Sequence, residues 1–334
     1  MTRTALLFTL LALLTAALFV ADLAVGSVYV SPGEIWGALT GKAGDPALQD
    51  IVLKIRLLKA VTALAAGAAL AASGLEMQTL FRNPLAGPYV LGVSSGASLG
   101  VALFLLGAPL LGVSGHTFVQ SLGIAGAAWL GAALVLAAIL AVSRRIKDIM
   151  VILILGMMFS SGVGAVVQIL QYLSREEALK AFVIWTMGSL GDVTAQQLTI
   201  LVPSIVVGLL LAIWAIKPLN LLLFGEEYAV TMGLNIRRSR GLLFLSTTLL
   251  AGTVTAFCGP IGFIGLAMPH VARMLFREAD HCVLVPGTIL SGAAVLLLCD
   301  LVSKFFTLPI NAITALLGIP IVVWVVLRNK SFTA

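Results

Sequence analysis

Apolar residues fall into ten runs along the chain, near residues 5–25, 57–80, 89–108, 117–142, 149–172, 196–216, 238–257, 261–276, 284–304 and 309–327. A helix needs about 20 apolar residues to cross a bilayer, and most of the runs reach that length. The pattern predicts an all-α polytopic membrane protein with about ten transmembrane helices in a single domain over residues 1–334. The eighth run is short and contains Gly259, Pro260, Gly262, Gly265 and Pro269, so a broken helix is expected there. Polar residues gather most strongly at residues 217–240, where Glu226, Glu227, Arg237, Arg238 and Arg240 exclude a place in hydrocarbon. A short helix closed by Gly233 is expected within that loop, at a water face where a soluble partner can push.

Composition narrows the class further. With 60% hydrophobic residues, 10% charged residues and a mean hydropathy of +1.12, no soluble core could hide the apolar surface. The net charge of +6 would suggest nucleic acid in a soluble chain, but here the basic residues orient the spans. Cytoplasmic N- and C-termini leave only Lys42, Lys54, Arg56, Lys59, Arg175, Lys180 and Lys304, of the 20 Lys and Arg, on the outer side. Arg3 and the run after it are expected to form a retained first span and not a signal peptide. Cys258, Cys282 and Cys299 are odd in number and lack metal-type spacing, so neither a disulfide framework nor a Cys-rich metal site is expected.

Candidate chemistry is sparse and mostly neutral. Gly92, Gly96 and Gly100 make one small-residue face and Ala63, Gly67 and Ala71 another, both suited to close packing within one subunit. Between them, residues 82–88 form a proline-stopped turn. The fifth span places Met157, Ser161, Gly164, Gln168 and Gln171 on one face, and the tenth places Asn311, Thr314 and Gly318 similarly. These faces either line a hydrated path or hydrogen-bond between helices. Glu76, Asp22 and Asp300 lie towards helix ends and are expected to reach an interface or a partner. Arg56, Lys59 and Lys304 at outer helix ends suit interfacial anchors. A lone His116 offers at most one ligand to a haem iron, and no carboxylate, His or Cys set marks a midplane ion site. No G-x-x-x-x-G-K-[ST] motif is present, so the chain is expected to be no enzyme on its own.

A set of local motifs then runs in order through nearly the whole chain. It comprises Ile55-Arg56-Leu57-Leu58-Lys59; residues 67–74 with Gln78; Arg82-Asn83-Pro84-Leu85-Ala86 leading to residues 91–97; Gly225-Glu226 with Ala229 and Gly233; residues 262–266 with Pro269-His270; Asp280-His281; Asp300; Leu308-Pro309; and Thr314-Ala315. Together these resemble the FecCD/BtuC-type permeases of binding-protein-dependent ABC importers for iron-siderophores, haem and cobalamin. Leu58 and Lys59 depart from the family's proline and arginine, and Cys282 stands where many relatives have arginine.

The resemblance implies a BtuC-like type II importer fold in the bacterial cytoplasmic (inner) membrane. It implies a homodimer, two ATP-binding ABC subunits that hold ATP and Mg, and a periplasmic or lipoprotein substrate-binding protein, with no cofactor, metal or nucleic acid bound by this chain. Arg56, Lys59 and Lys304 match the positions that dock the binding protein, and Glu226, Ala229 and Gly233 match the ATPase-coupling loop. A cytoplasmic gate is expected at Asn83, Pro84 and Leu85 with Lys147, Asp148, Ile149 and Met150, and a path along Met157, Ser161, Gln168, Asn311 and Thr314. The implied activity is ATP-driven alternating access for an iron chelate, either a ferric siderophore or haem. Cobalamin import is the alternative, and a secondary transporter or channel is the alternative of another class.

Overall fold

In hydrocarbon a chain has few ways to satisfy its backbone, and an α-helix closes every hydrogen bond within its own segment. The computed structural model, which describes residues 3–26, 28–41, 45–107, 117–143, 145–146 and 148–328, is helical throughout, with no strand among those residues. His116 and Lys147 lie outside the described residues. Seven helices are long and apolar enough to cross a membrane, and shorter apolar helices over Val93–Gly107, Ile264–Phe276 and Ile310–Val325 fill the other predicted spans.

The bundle is built around α4 (Leu57–Leu80), which is buried on all sides from the middle of the helix onward. Its Ala- and Gly-rich sequence makes this possible, because small side chains let neighbouring helices approach closely. α14 (His281–Phe306) runs antiparallel along it, with Gly67 set directly against the Gly292 carbonyl, and α13 (Ile264–Phe276) brings the Gly265 carbonyl onto Gly74. A Cβ at either α4 glycine would collide with backbone, which cannot yield. Gly96 and Gly100 of α5 (Val93–Ala102) pack in the same way on the backbone of α6 (Thr117–Ser143). Both small-residue faces thus pack within the subunit; Gly92 lies outside this contact and starts α5 with φ 75°.

Other helices are mostly outward-facing. α1 (Arg3–Ala24) buries little beyond its last turn, and α7 (Ile149–Leu173) buries only Ile152, Leu153, Gly156, Val163 and Val167. Among the short helices between spans, three lie in segments for which the sequence gives no element: α2 (Pro32–Leu39), α3 (Pro46–Asp50) and α8 (Glu176–Thr186). Local caps define the first two. Ser31 and Glu34 form a reciprocal capping box, and Asp45 caps α3. The Ser31 hydroxyl and backbone N–H hold the Glu34 carboxyl below the ordinary range.

After α9 (Ala195–Trp214) come two short helices, α10 (Ile216–Leu222) and α11 (Glu226–Thr231), and then α12 (Ile236–Cys258). The expected break follows: residues 259–263 are non-helical, α13 supplies half a span, and α15 (Ile310–Arg328) completes the chain. Unpaired backbone at that depth is costly, and side chains from elsewhere satisfy it. The Gly262 N–H donates to Asn311 Oδ1 at 3.0 Å, and the Tyr89 hydroxyl donates to the Ile261 carbonyl at 3.0 Å.

Candidate functional site

At one end of the bundle, antiparallel packing of α4 on α14 brings the first turn of one beside the last turns of the other. Lys59 Nζ lies 2.9 Å from Asp300 Oδ1, and Lys304 Nζ lies 3.1 Å from Asp300 Oδ2. Asp22 of α1 completes the cluster, its Oδ1 and its backbone carbonyl oxygen each 2.8 Å from Lys304 Nζ. Two lysines and two buried aspartates therefore balance one another, and only Lys59 keeps appreciable exposure, 22% of its side chain. Arg56 is also buried: its guanidinium donates to the carbonyls of Leu23 and Ala24, each at 2.8 Å, and of Val28, clasping the bend after α1.

The three cations expected to dock a partner do converge here, but in this conformation Arg56 is occupied by carbonyls and Lys304 is nearly enclosed. Asp22 and Asp300 correct the sequence expectation, since both turn inward to lysines instead of reaching an interface. Glu76 does likewise: fully buried, it accepts from Thr247 Oγ1 at 2.8 Å.

The other end carries the short helix α11. Gly225 (φ 97°) and Gly233 (φ 85°) bracket it in a backbone region that glycine enters without steric cost. Ala229 is fully buried, and its carbonyl accepts from the Leu234 N–H at 2.9 Å. Tyr228 and Val230 are well exposed. Glu226 faces back to α12, where Arg240 forks onto it, Nε to Oε1 at 2.8 Å and Nη2 to Oε2 at 2.5 Å.

Beside this helix, the turn after α4 is bolted to α13. Asn83 Oδ1 accepts from the Leu85 N–H at 2.9 Å, and the Pro84 carbonyl is 2.8 Å from His270 Nε2. Gln78 Nε2 donates to the Leu266 carbonyl at 3.0 Å while its Oε1 accepts from Arg273 Nη1 at 2.6 Å. A second set of bonds joins α4, α10 and α14: Thr79 Oγ1 to His281 Nε2 at 2.9 Å, His281 Nδ1 to Asn220 Oδ1 at 2.8 Å, and Asn220 Nδ2 to Asp280 Oδ1 at 2.6 Å. The Cys282 N–H, and then Asn220, hold the Asp280 carboxyl below the ordinary aspartate range. No local motif points to Asn220 or Arg273; only the fold gives them partners.

Leu85 of that turn also borders an open cavity of about 410 Å³, walled by Pro88, Tyr89, Met157, Ser160 and Phe263 among others. Of the expected path residues, Met157 lines this space. Ser161 and Gln168 are exposed on the same helix but do not line the cavity, and Asn311 braces the break. Thr314 corrects its expectation: it is fully buried, with its hydroxyl bonded to the Asn311 carbonyl at 3.1 Å, so it faces no open path. Asp148 caps α7 by accepting from the Met150 N–H at 2.8 Å, Ile149 packs on the core and Met150 is exposed. Among the described residues no hydrogen bond or ion pair joins this segment to the Asn83 turn, and none of their His, Cys, Asp or Glu side chains group as a metal site.

Long apolar spans around an interrupted half-helix, with an open cavity beside the interruption, define a polytopic helical membrane protein. The profile of the FecCD transport family matches residues 13–328. The chain belongs to that family, the permease subunits of ABC importers. It is 37% identical to the hemin transport system permease protein HmuU of Yersinia pestis, over 97% of this chain and 95% of the relative. It is also 37% identical to the vitamin B12 import system permease protein BtuC of Salmonella typhi, over 98% and 95%. A solved inward-facing structure assigned to the metal-chelate type of ABC transporter superposes with a TM-score of 0.82 at 32% identity, over 94% of this chain and 96% of that one.

Proposed function

We propose that this chain works as a homodimer in the bacterial cytoplasmic membrane, both termini inside, importing an iron chelate by ATP-driven alternating access. The observation that carries this reading is the outward face of α7. Met157, Ser161 and Gln168 are exposed in the single chain; the Ser161 hydroxyl bonds back to the Met157 carbonyl at 3.1 Å, but the Gln168 carboxamide is poorly suited to hydrocarbon. A second copy facing it across a hydrated path resolves that conflict. Two ATPase chains, which bind ATP and Mg, act on α11 through its exposed Tyr228 and Val230, with Ala229 as its buried seat. At the opposite end a substrate-binding protein meets Lys59 first, and Arg56 and Lys304 behind it hold the docking platform in shape. Leu85 and the Asp148–Met150 segment close the inner end. A ferric siderophore or haem is the substrate favoured by the hemin permease relative and the metal-chelate neighbour.

Cobalamin import is the second reading, favoured by the B12 permease relatives at the same identity. The test is uptake and ATP hydrolysis in proteoliposomes containing the cognate ATPase and binding protein, challenged in turn with haem, ferric siderophores and cobalamin. Stimulation by haem or a ferric siderophore supports the proposal, and stimulation by cobalamin alone transfers it to the second reading. Uptake that needs no ATP and collapses with a protonophore would overturn both in favour of a secondary transporter. Lys59→Glu should abolish stimulation by the loaded binding protein while basal ATP turnover persists.

A further inference from the structure

Arg240 makes a contact that neither the coupling helix nor the gate requires by itself. It lies near the start of α12, is buried, and presents three nitrogens in one plane. Two grip the Glu226 carboxylate at the first residue of α11, and the third, Nη1, donates to the Ile146 carbonyl at 3.2 Å. Ile146 lies in the turn between α6 and α7, two residues before Asp148, which caps α7. About two to three turns further along α7, at 3.6 residues per turn, Met157 and Ser160 form a wall of the cavity.

We infer that Arg240 is a positioning residue that transmits displacement of α11 to the α6–α7 turn and so to the cavity wall on α7. The inference rests on the ATP-driven reading above and adds the link inside this chain. A guanidinium suits the role because its donors are fixed in a planar fork, so a carboxylate and a carbonyl held by it keep their relative position. An ammonium can neutralise Glu226 but cannot hold the same three-point geometry. The link also places the moving joint at a main-chain carbonyl, so no side chain of the turn has to supply it.

The test uses the full transporter with its ATPase and binding protein in proteoliposomes, in a Cys282→Ser background. An environment-sensitive fluorophore is placed at Glu227→Cys on α11 or at Met150→Cys on α7, both exposed positions. With Arg240 intact, ATP shifts the signal at both sites. In R240K the Glu227 signal still shifts, the Met150 response falls by at least half, and uptake per ATP hydrolysed drops about tenfold, a factor within the range of typical coupling. Glu226→Gln, which weakens the same grip from the other side, should uncouple in the same direction and serves if R240K does not assemble. An undiminished Met150 response in both variants overturns the link. Loss of both signals together overturns it as well, because Arg240 would then only hold α11 in place. Absence of any ATP response or ATP-driven uptake with Arg240 intact overturns the ATP-driven reading itself, and the link with it.

Discussion

The two ends of the bundle are held together by different chemistry. At the Lys59 end, four charges and a buried arginine join three long helices, and every carboxylate of the cluster faces a lysine of this chain. At the Glu226 end there is one forked ion pair, and the remaining bonds join neutral groups to one another or to a single charge, Arg273 or Asp280. Buried charges held at several points resist displacement, because separating them leaves an uncompensated charge in a poorly solvating interior. Bonds to main-chain carbonyls and carboxamides cost less to lengthen or exchange. The Lys59 end is therefore built as a fixed platform and the Glu226 end as a set of joints.

Removing the cation shared by both aspartates is the most severe challenge to this contrast. Lys304→Met leaves Asp22 without its ion-pair partner and Asp300 with Lys59 alone. The expected loss is about 3–5 kcal/mol, the usual penalty for breaking a buried pair from one side, measured by thermal unfolding in detergent. At the joint end, His281→Leu removes bonds to Thr79 and Asn220 but leaves no orphaned charge. It should cost about 1–3 kcal/mol. Equal losses from the two substitutions would erase the distinction between platform and joints.

The sequence displayed the spans more clearly than the site, for physical reasons. Apolar runs of membrane-spanning length leave little choice of backbone, and the glycines and prolines of residues 259–269 announced the break. The glycine-bracketed helix at Glu226 was legible too, because local backbone preference decides it. Pairings were another matter. Asp300 and Lys304 sit four residues apart on one helix and hint at an ion pair, but Asp22 joins them from 282 residues away, and Lys59 from a third helix. Thr314 misled in the opposite way: its helical register matched Asn311, yet close packing buries it and only Asn311 reaches the break. α2, α3 and α8 escaped because short helices between spans carry no apolar run of membrane length.

The finest contrast between the ends concerns acid. Asp280 caps α14 at the joint end, where the Cys282 N–H (2.8 Å) and Asn220 Nδ2 (2.6 Å) converge on its Oδ1. These donors favour the ionised form, so the folded-state pKa lies below the unfolded value of about 3.9. A depressed carboxyl contributes stability that is present above the unfolded pKa and lost as pH falls through the folded one. The loss is therefore confined to the acid side of about pH 4. Asp280→Asn keeps an oxygen able to accept both bonds, and asparagine caps helices about as well as aspartate, but the substituted side chain does not titrate. The variant should lie slightly below the parent at neutral pH, by the contribution of the charge, and lose less stability between about pH 4 and pH 2, a small difference because the carboxyl is exposed to solvent. Parallel acid limbs in the two proteins would show that the joint end gains nothing from the charge at this cap and that its bonds act as neutral ones throughout.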